Sequence, residues 1–542
     1  MMHLFKNFIN TITTQEKKPI IYSVLFLAIS FCIVGFFNKT LAVGLLLLLF
    51  LTVATLFIIF KTIGYDKNTY IIFLIALLVH FGAVLFIYYG HFKPFGGGAD
   101  FEGYNQIGIE IAHRFGNGNF SLEGLYTDHF FPILIGILYL LTLPSMIVGQ
   151  LFVVWLAAIS ILLVYLIAQE LGATKKAAFL ASLIVIVYPS YLYFGSILLK
   201  DTVVTPLALA GLLLTIKMAK KFSWIKFLVF FIILTSLINL RFYVGYALMF
   251  SFIFSWPLLS AFSPKKKIIY WLIMVVLLGF SPQFVDNGYY ASSSFKKFLT
   301  PKNITYYREI LYSNSPESPL NTKPSEPQVV ASLPVDQKPI IAEPTVTQPS
   351  QPVNPKPVIP VAPQPTTSEP TISQPNTSQP NQSSGEEFGG SASTFFLETG
   401  FTKGALVFLK NSSQSFIYSL LGPFPWQFQY KRQMVGLVET IPWYILILAS
   451  FYSCARFIRK NGVLRFLKLY KFSLPLFLFS VLVLGALSLF INNYGIIARI
   501  RVPVFICLAL IMCVVFNTGL ENYYLELRNA FRRFSLNSRT KI

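Results

Sequence analysis

Phe130-Phe131-Pro132-Ile133-Leu134-Ile135-Gly136-Ile137-Leu138-Tyr139-Leu140-Leu141-Thr142-Leu143-Pro144 is the stretch on which the side of every later loop depends. As a helix, the part before the closing proline is about 21 Å long. A bilayer presents ~30 Å of hydrocarbon. A re-entrant or surface helix is therefore expected here, and not a crossing.

The rest of the chain makes the membrane setting plain. Its 542 residues are 55% hydrophobic and only 12% charged, with a mean hydropathy of +0.63, far too apolar for a soluble protein of this length. The formal charge of +21 would suggest a nucleic-acid partner in a soluble chain. In a membrane protein its distribution matters more than its size. Cys32, Cys454, Cys507 and Cys513 all lie in apolar runs, so neither a disulfide framework nor a metal motif is indicated.

Before the short stretch, apolar runs at Ile20–Phe37, Leu41–Phe60 and Tyr70–Tyr89 read as spans, the first as an uncleaved signal anchor after Lys17-Lys18. After it come Ile147–Ala168, Ala177–Ile197, Val203–Ile216, Trp224–Leu240, Tyr243–Phe262 and Ile268–Phe284. Residues from about 314 to 387 are rich in Pro, Ser, Thr and Gln, with Ser373-Gln374-Pro375-Asn376 nearly repeated at Ser378-Gln379-Pro380-Asn381. No core can form from such a composition, and a disordered, partly polyproline spacer is expected. An amphipathic stretch after Gly404 ends in Pro423-Phe424-Pro425-Trp426, and Ile441–Cys454, Phe472–Ile491 and Val502–Thr518 complete a set of about 12 transmembrane helices.

The resulting organisation is a segment 1–64, a transmembrane module 65–284 whose first outer loop is 91–146, an outer loop 285–403, a C-terminal membrane segment 404–520 and a basic tail 521–542. With the N-terminus cytoplasmic, and with Lys226 counted at the inner end of its span, 25 of the 43 Lys and Arg but only 5 of the 22 Asp and Glu fall inside. That is the positive-inside bias. Making 130–143 a crossing would move Lys175, Lys176, Lys217, Lys220, Lys221 and Lys265 to Lys267 outside, against the bias. Both termini are therefore expected in the cytoplasm.

The outer face then carries ionisable groups at span ends. Gly96-Gly97-Gly98-Ala99-Asp100-Phe101-Glu102-Gly103-Tyr104 pairs a permissive glycine triplet with a carboxylate that opens a short surface helix. Asp128-His129, Lys200-Asp201, Arg241, Arg499 and Arg501 lie at the other outer ends. Charges at such positions pair, reach the interface or bind something, and together they suggest a polar, outward-facing cavity. Each has a plainer reading. Asp100 and Asp201 sit where helix caps sit, Arg499 and Arg501 have the reach to snorkel, Asp128-His129 reads as a solvated loop pair, and Pro-Phe-Pro-Trp reads as an interfacial anchor.

Asp100 with Tyr104, then Phe130-Phe131-Pro132, then Leu166-Ile167-Ala168-Gln169-Glu170-Leu171-Gly172, Ala177 to Ser182, Tyr188-Pro189-Ser190 and Lys200-Asp201 form an ordered series. Over roughly residues 65 to 240 this series resembles the amino-terminal module of the GT-C membrane glycosyltransferases. The nearest by pattern are bacterial polyprenyl-phosphate-sugar-dependent enzymes related to protein mannosyltransferases and aminoarabinose transferases. The resemblance implies an acid/base centre in the first outer loop, at Asp100 with Glu102, and a second outer acid at Asp201. Phe101 separates Asp100 from Glu102 where many relatives have adjacent acids, and His129-Phe130-Phe131-Pro132 stands where many have Lys-Pro-Pro. Asn493-Tyr494-Gly495 with Arg499-Ile500-Arg501-Val502-Pro503 resembles a pattern in exopolysaccharide and O-antigen assembly proteins.

The expected activity is transfer of a sugar from a polyprenyl-phosphate donor to an extracytoplasmic acceptor: a cell-envelope glycan, a lipid or a protein. Inverting displacement needs one base, here Asp100, and cations for the leaving phosphate, here Arg499 and Arg501 with Lys200 and Arg241. Tyr104 and His129 join the substrate-binding set. Asp201 either orients a basic group or helps to hold a divalent cation, Mg2+ or Mn2+, and the sequence leaves that open. The absence of a phosphate-cradling Gly-rich motif argues against an ATP-driven pump. A polysaccharide polymerase or ligase would need a folded, Arg/His-rich main loop, and a flippase or transporter two similar halves with charges at mid-membrane. The composition suits a bacterial plasma membrane.

Overall fold

The computed structural model describes residues 33–307 and 403–516, except 65, 93–99, 128, 294–295, 297–298, 425, 427–435 and 492, together with Tyr22, Leu25, Phe26 and Ile29. The glycine triplet 96–98, Asp128, Pro425, most of the expected first span 20–37, the Pro/Ser/Thr-rich stretch 314–387 and the tail 521–542 lie outside the described residues.

Within them the protein is all helix, without a strand. The long elements are α1 (Lys39–Ile63), α2 (Lys67–Gly90), α3 (Asp100–Gly116), α4 (Phe131–Leu141), α5 (Met146–Glu170), α6 (Lys175–Ile186), α7 (Pro189–Phe194), α8 (Asp201–Lys220), α9 (Trp224–Leu240), α10 (Phe242–Leu259), α11 (Pro264–Leu278), α12 (Ala405–Leu421), α13 (Leu437–Asn461), α14 (Val463–Tyr470), α15 (Leu474–Phe490) and α16 (Tyr494–Ile500). A last helix, α17 (Val502–Phe516), follows α16 across a 54° bend.

Among the described residues, eight helices are long and apolar enough to cross a membrane, or nine if the bent pair α16–α17 is one span. This is a polytopic, multi-pass membrane protein. The most apolar windows of α5 and α8 are 72% and 78% buried, against 17% for α13, so the first two are central and the last is peripheral. Outer helices turn large apolar side chains such as Phe50, Ile58 and Phe86 outward, as a bilayer-facing surface requires.

The stretch from Phe130 to Pro144 folds as α4, 11 residues long. At about 16 Å it reaches only half-way through hydrocarbon. Pro132 sits in its first turn, where a missing N–H costs nothing. It packs against α3 backbone to backbone. A Cβ on Gly108 would lie 2.7 Å from Ile135 Cγ2, and one on Gly136 would lie 2.4 Å from Ile111 Cγ2. Tyr139 Oη donates to Asn105 Oδ1 at 2.7 Å across the pair. The helix expected from Asp100 is α3, and it packs on α4.

The expected span Ala177–Ile197 is broken into α6 and α7. Tyr188 precedes Pro189, which disfavours helix at Tyr188 and restarts it at the proline. Two groups of charges lie at opposite ends of the bundle. At one end Asp66, between α1 and α2, holds Lys175 at 3.0 Å and Tyr165 at 2.9 Å, and Glu170 pairs with Lys217 and Lys220. Burial raises the Asp66 carboxyl, but the bonds from Lys175, Thr69 and Tyr165 outweigh it, and the net shift is downward. The opposite end holds the acidic and basic groups that the sequence singles out.

Candidate functional site

Four charged side chains, 399 residues apart at the extremes, form one linked chain. Asp201 opens α8 and is buried. Arg241 lies at the single-residue joint between α9 and α10, where the extended backbone ends one helix and starts the next. Its Nε donates to Asp201 Oδ1 and its Nη2 to Oδ2, both at 2.9 Å, in the two-point geometry that suits a carboxylate. Arg499 comes from α16, whose start is fixed by Asn493 accepting from the amides of Gly495 and Ile496. Its Nε lies 2.9 Å from Asp201 Oδ2 as an ion pair, and its Nη1 donates to Asp100 Oδ2 at 2.6 Å. Asp201 is 11% exposed and Asp100 48%, so the chain runs from the protein interior to an accessible carboxylate.

Asp201 is not used as the plainer reading supposed. Asp201 is the first helical residue of α8, and the cap at Lys200 makes no side-chain bond. Both Asp201 oxygens are taken up by guanidinium groups. The carboxylate thereby holds Arg241 and Arg499 in place.

Lys200 joins this cluster. Among the described residues its amine has no hydrogen-bond or ion-pair partner. Burial and the neighbouring Arg241 push the amine down to about 7, with Arg499 adding to the effect and Asp201 and Asp100 opposing it. Tyr104, one turn along α3 from Asp100, is buried. Its phenol is held above its ordinary value by burial and by the negative charge of Asp100 and Asp201. Its Oη lies 3.4 Å from His129 Nε2, and its ring meets His129 and Phe131 edge-on. Phe130 N donates to Asn239 Oδ1 at 2.8 Å, which ties the His129 loop to the end of α9 beside Arg241. His129 is therefore buried, not solvated as a loop pair with Asp128 would be. Burial, with Lys200 and Arg241 nearby, lowers its imidazole to about 3, so it is neutral at physiological pH.

Two members of the expected set stand apart. Glu102 is exposed on α3. Arg501, at the bend between α16 and α17, is 2% exposed and belongs to a separate network. It donates to Glu439 Oε1 at 3.2 Å and to the carbonyls of Ser419 and Gly422, and its guanidinium lies 4.5 Å from the Phe505 ring centroid. Glu439 also accepts from the Tyr188 and Ser190 hydroxyls and from Ser190 N at 3.2 Å. This second network ties α12, α13 and the bend to the break between α6 and α7. Glu439 was not singled out from the sequence, because a lone glutamate two residues before an apolar run looks like a solvated helix start. The Trp426 side chain is 76% exposed and stacks on Phe424, as an interfacial anchor would.

Among the described residues no three His, Cys, Asp or Glu side chains gather as a metal site would require. With Asp201 saturated by guanidinium groups, the donor set of the described residues does not fit Mg2+ or Mn2+. The gathering of three basic groups, Lys200, Arg241 and Arg499, against two carboxylates favours an anion. No protein-family model matches the chain, and no curated protein matches it.

Proposed function

We propose that the protein is a GT-C-type membrane glycosyltransferase of about twelve spans in a bacterial plasma membrane, with this site facing outward. It takes a sugar from a polyprenyl-phosphate donor and attaches it to an extracytoplasmic acceptor. The observation that carries the reading is the Asp100–Arg499–Asp201–Arg241 chain, with Lys200 next to Asp201 in sequence: an accessible carboxylate bound to a fixed arginine cluster.

Asp100 accepts the proton of the acceptor hydroxyl. The acceptor oxygen bonds to the anomeric carbon as the bond from that carbon to the phosphate oxygen breaks, and the electron pair leaves with the phosphate. Configuration inverts. Arg241, Arg499 and Lys200 stabilise the charge that builds on the leaving phosphate. Arg499 occupies Asp100 Oδ2, so a donor phosphate that draws Arg499 away also frees that oxygen to take the acceptor's proton.

The test is transfer of sugar from total polyprenyl-linked donors by the full chain in lipid nanodiscs, native against Asp100→Asn at matched folding. A loss of about 100-fold or more, the low end of what a general base contributes, is expected. Equal activity would remove Asp100 from the mechanism. Extension or ligation of preformed lipid-linked oligosaccharides without single-sugar transfer would assign the chain to polymerases or ligases.

A further inference from the structure

The end of the bundle opposite the Asp100 site carries a surface that the proposed reaction does not use. α8 runs from Asp201 to Lys220, and at its far end Lys220 and Lys471 place their ammonium groups 5.1 and 4.9 Å from the centroid of the Phe472 ring. Phe472 is therefore level with that end of α8. α14 and α15 run on through it as one helical span of 28 residues, Val463–Phe490. At about 42 Å the span exceeds the ~30 Å of hydrocarbon by about the length of α14. α14 thus stands in the headgroup layer. Gly462, at φ 80°, turns the chain from α13 into it, and Phe457 of α13 meets Phe466 and Tyr470 with ring centroids 6.1 and 5.9 Å apart. The two helices form a hairpin.

The hairpin is charged with one sign only. Arg456, Arg459, Lys460, Arg465, Lys468 and Lys471 are all exposed, and neither Asp nor Glu occurs anywhere from 440 to 520. Between these bases Leu464 and Leu467 are 78% and 57% exposed. Elsewhere at this end Lys175 pairs with Asp66, and Lys217 and Lys220 pair with Glu170. Those bases are matched by acids of neighbouring helices, whereas residues 456–471 bring none of their own. A surface that is basic, apolar and at headgroup depth calls for a cover that is anionic and amphiphilic.

We infer that the α13–α14 hairpin is a docking surface for anionic phospholipid. Its arginines and lysines bind the headgroup phosphates of the adjacent leaflet, the guanidinium groups two oxygens at a time, while Leu464 and Leu467 enter the upper acyl region. No bond is made or broken, and the surface is independent of sugar transfer. Each basic residue near such a lipid surface is worth about a fivefold gain in association.

The experiment places the full chain in phosphatidylcholine nanodiscs that contain a photoactivatable probe lipid, either phosphatidylglycerol or phosphatidylcholine with the reactive group near the headgroup, and maps the crosslinked peptides by mass spectrometry. Residues 456–471 are expected to take up the phosphatidylglycerol probe about tenfold or more in excess of the phosphatidylcholine probe. Arg459→Gln/Arg465→Gln/Lys468→Gln should cut that preference by about fivefold or more. Lys265→Gln/Lys266→Gln/Lys267→Gln removes the same charge from the start of α11, at the same end of the bundle, and should leave labelling of the hairpin unchanged. Equal labelling by the two probes, an undiminished preference in the first variant, or the same drop in the second overturns the inference, the last because it would assign the preference to the whole basic end. Labelling by neither probe overturns it too, and a co-purifying protein crosslinked to 456–471 would name a protein as the occupant instead. The substituted side chains of the hairpin are exposed, so the variant is expected to fold; if it does not, the native labelling ratio and Arg465→Gln and Lys468→Gln taken singly, each with a loss of about two- to fivefold, decide. None of these readouts involves sugar transfer, so a chain that transfers none would sink the transferase reading and leave this one standing.

Discussion

Asp100 and Asp201 share Arg499 but lie in different surroundings, and their substitution should separate stability from chemistry. Asp201 is buried and holds two guanidinium groups. Changing it to Asn leaves two buried positive charges with half their compensation, a kind of loss that costs ~3–5 kcal/mol. Asp100 is half exposed, and ion pairs in that setting contribute ~1 kcal/mol or less. In nanodiscs, Asp201→Asn should therefore lower the unfolding transition well below that of native protein, whereas Asp100→Asn should leave it nearly in place and act on sugar transfer alone. Equal shifts in the two variants would mean that Asp201 is as well solvated as Asp100, contrary to its burial.

The seat of Asp100 is set by the α3–α4 pair, which depends on two glycines. An added methyl at Gly136 would meet Ile111 Cγ2 at 2.4 Å and Ile111 Cβ at 2.6 Å, so the helices must separate or the isoleucine must leave its position. Overpacking of this kind costs ~1–3 kcal/mol. Gly136→Ala is expected to lower both the unfolding temperature and sugar transfer, because Asp100 moves with α3, while Gly82→Ala, where nothing lies within 4 Å of the new atom, should change neither. A Gly136→Ala protein with native transfer would show that α4 does not hold α3. The same pair shows how far the sequence could be read. The length of the 130–144 stretch marked a helix too short to span, and the charges Asp100, Lys200, Asp201, Arg241 and Arg499 stood out because they lie at the outer ends of the apolar runs. The buried stripe of α3, however, is Tyr104, Gly108, Ile111 and Ala112. Glycine carries no hydrophobic signal, and Ile107, Ile109 and Phe115 lie off the stripe, so its helical spacing is obscured in the sequence. Arg501 looked like a twin of Arg499 for a related reason. Residues two apart on a helix point to opposite sides, and the 54° bend that sends Arg501 toward Glu439 leaves no mark in composition.

Across the chain as a whole, the groups that carry the proposed chemistry come from residues 100–241 and from Arg499, and none comes from 314–387. That stretch is Pro-, Ser-, Thr- and Gln-rich, with too few apolar residues to offset the entropy of ordering a core. Its expected service is connection, and the cost of closing a flexible connection changes slowly with length, by only ~0.6 kcal/mol for a twofold change. Deleting residues 331–370, about half of it, is therefore expected to leave the unfolding transition of the nanodisc-embedded chain unchanged and sugar transfer to a small soluble acceptor within about twofold of native. The comparison should be repeated with a long cell-envelope glycan as acceptor. If the deletion spares the small acceptor and abolishes transfer to the glycan, the stretch recognises the acceptor. If it abolishes both at native stability, part of the catalytic machinery lies within 314–387, and the site built around Asp100 is incomplete.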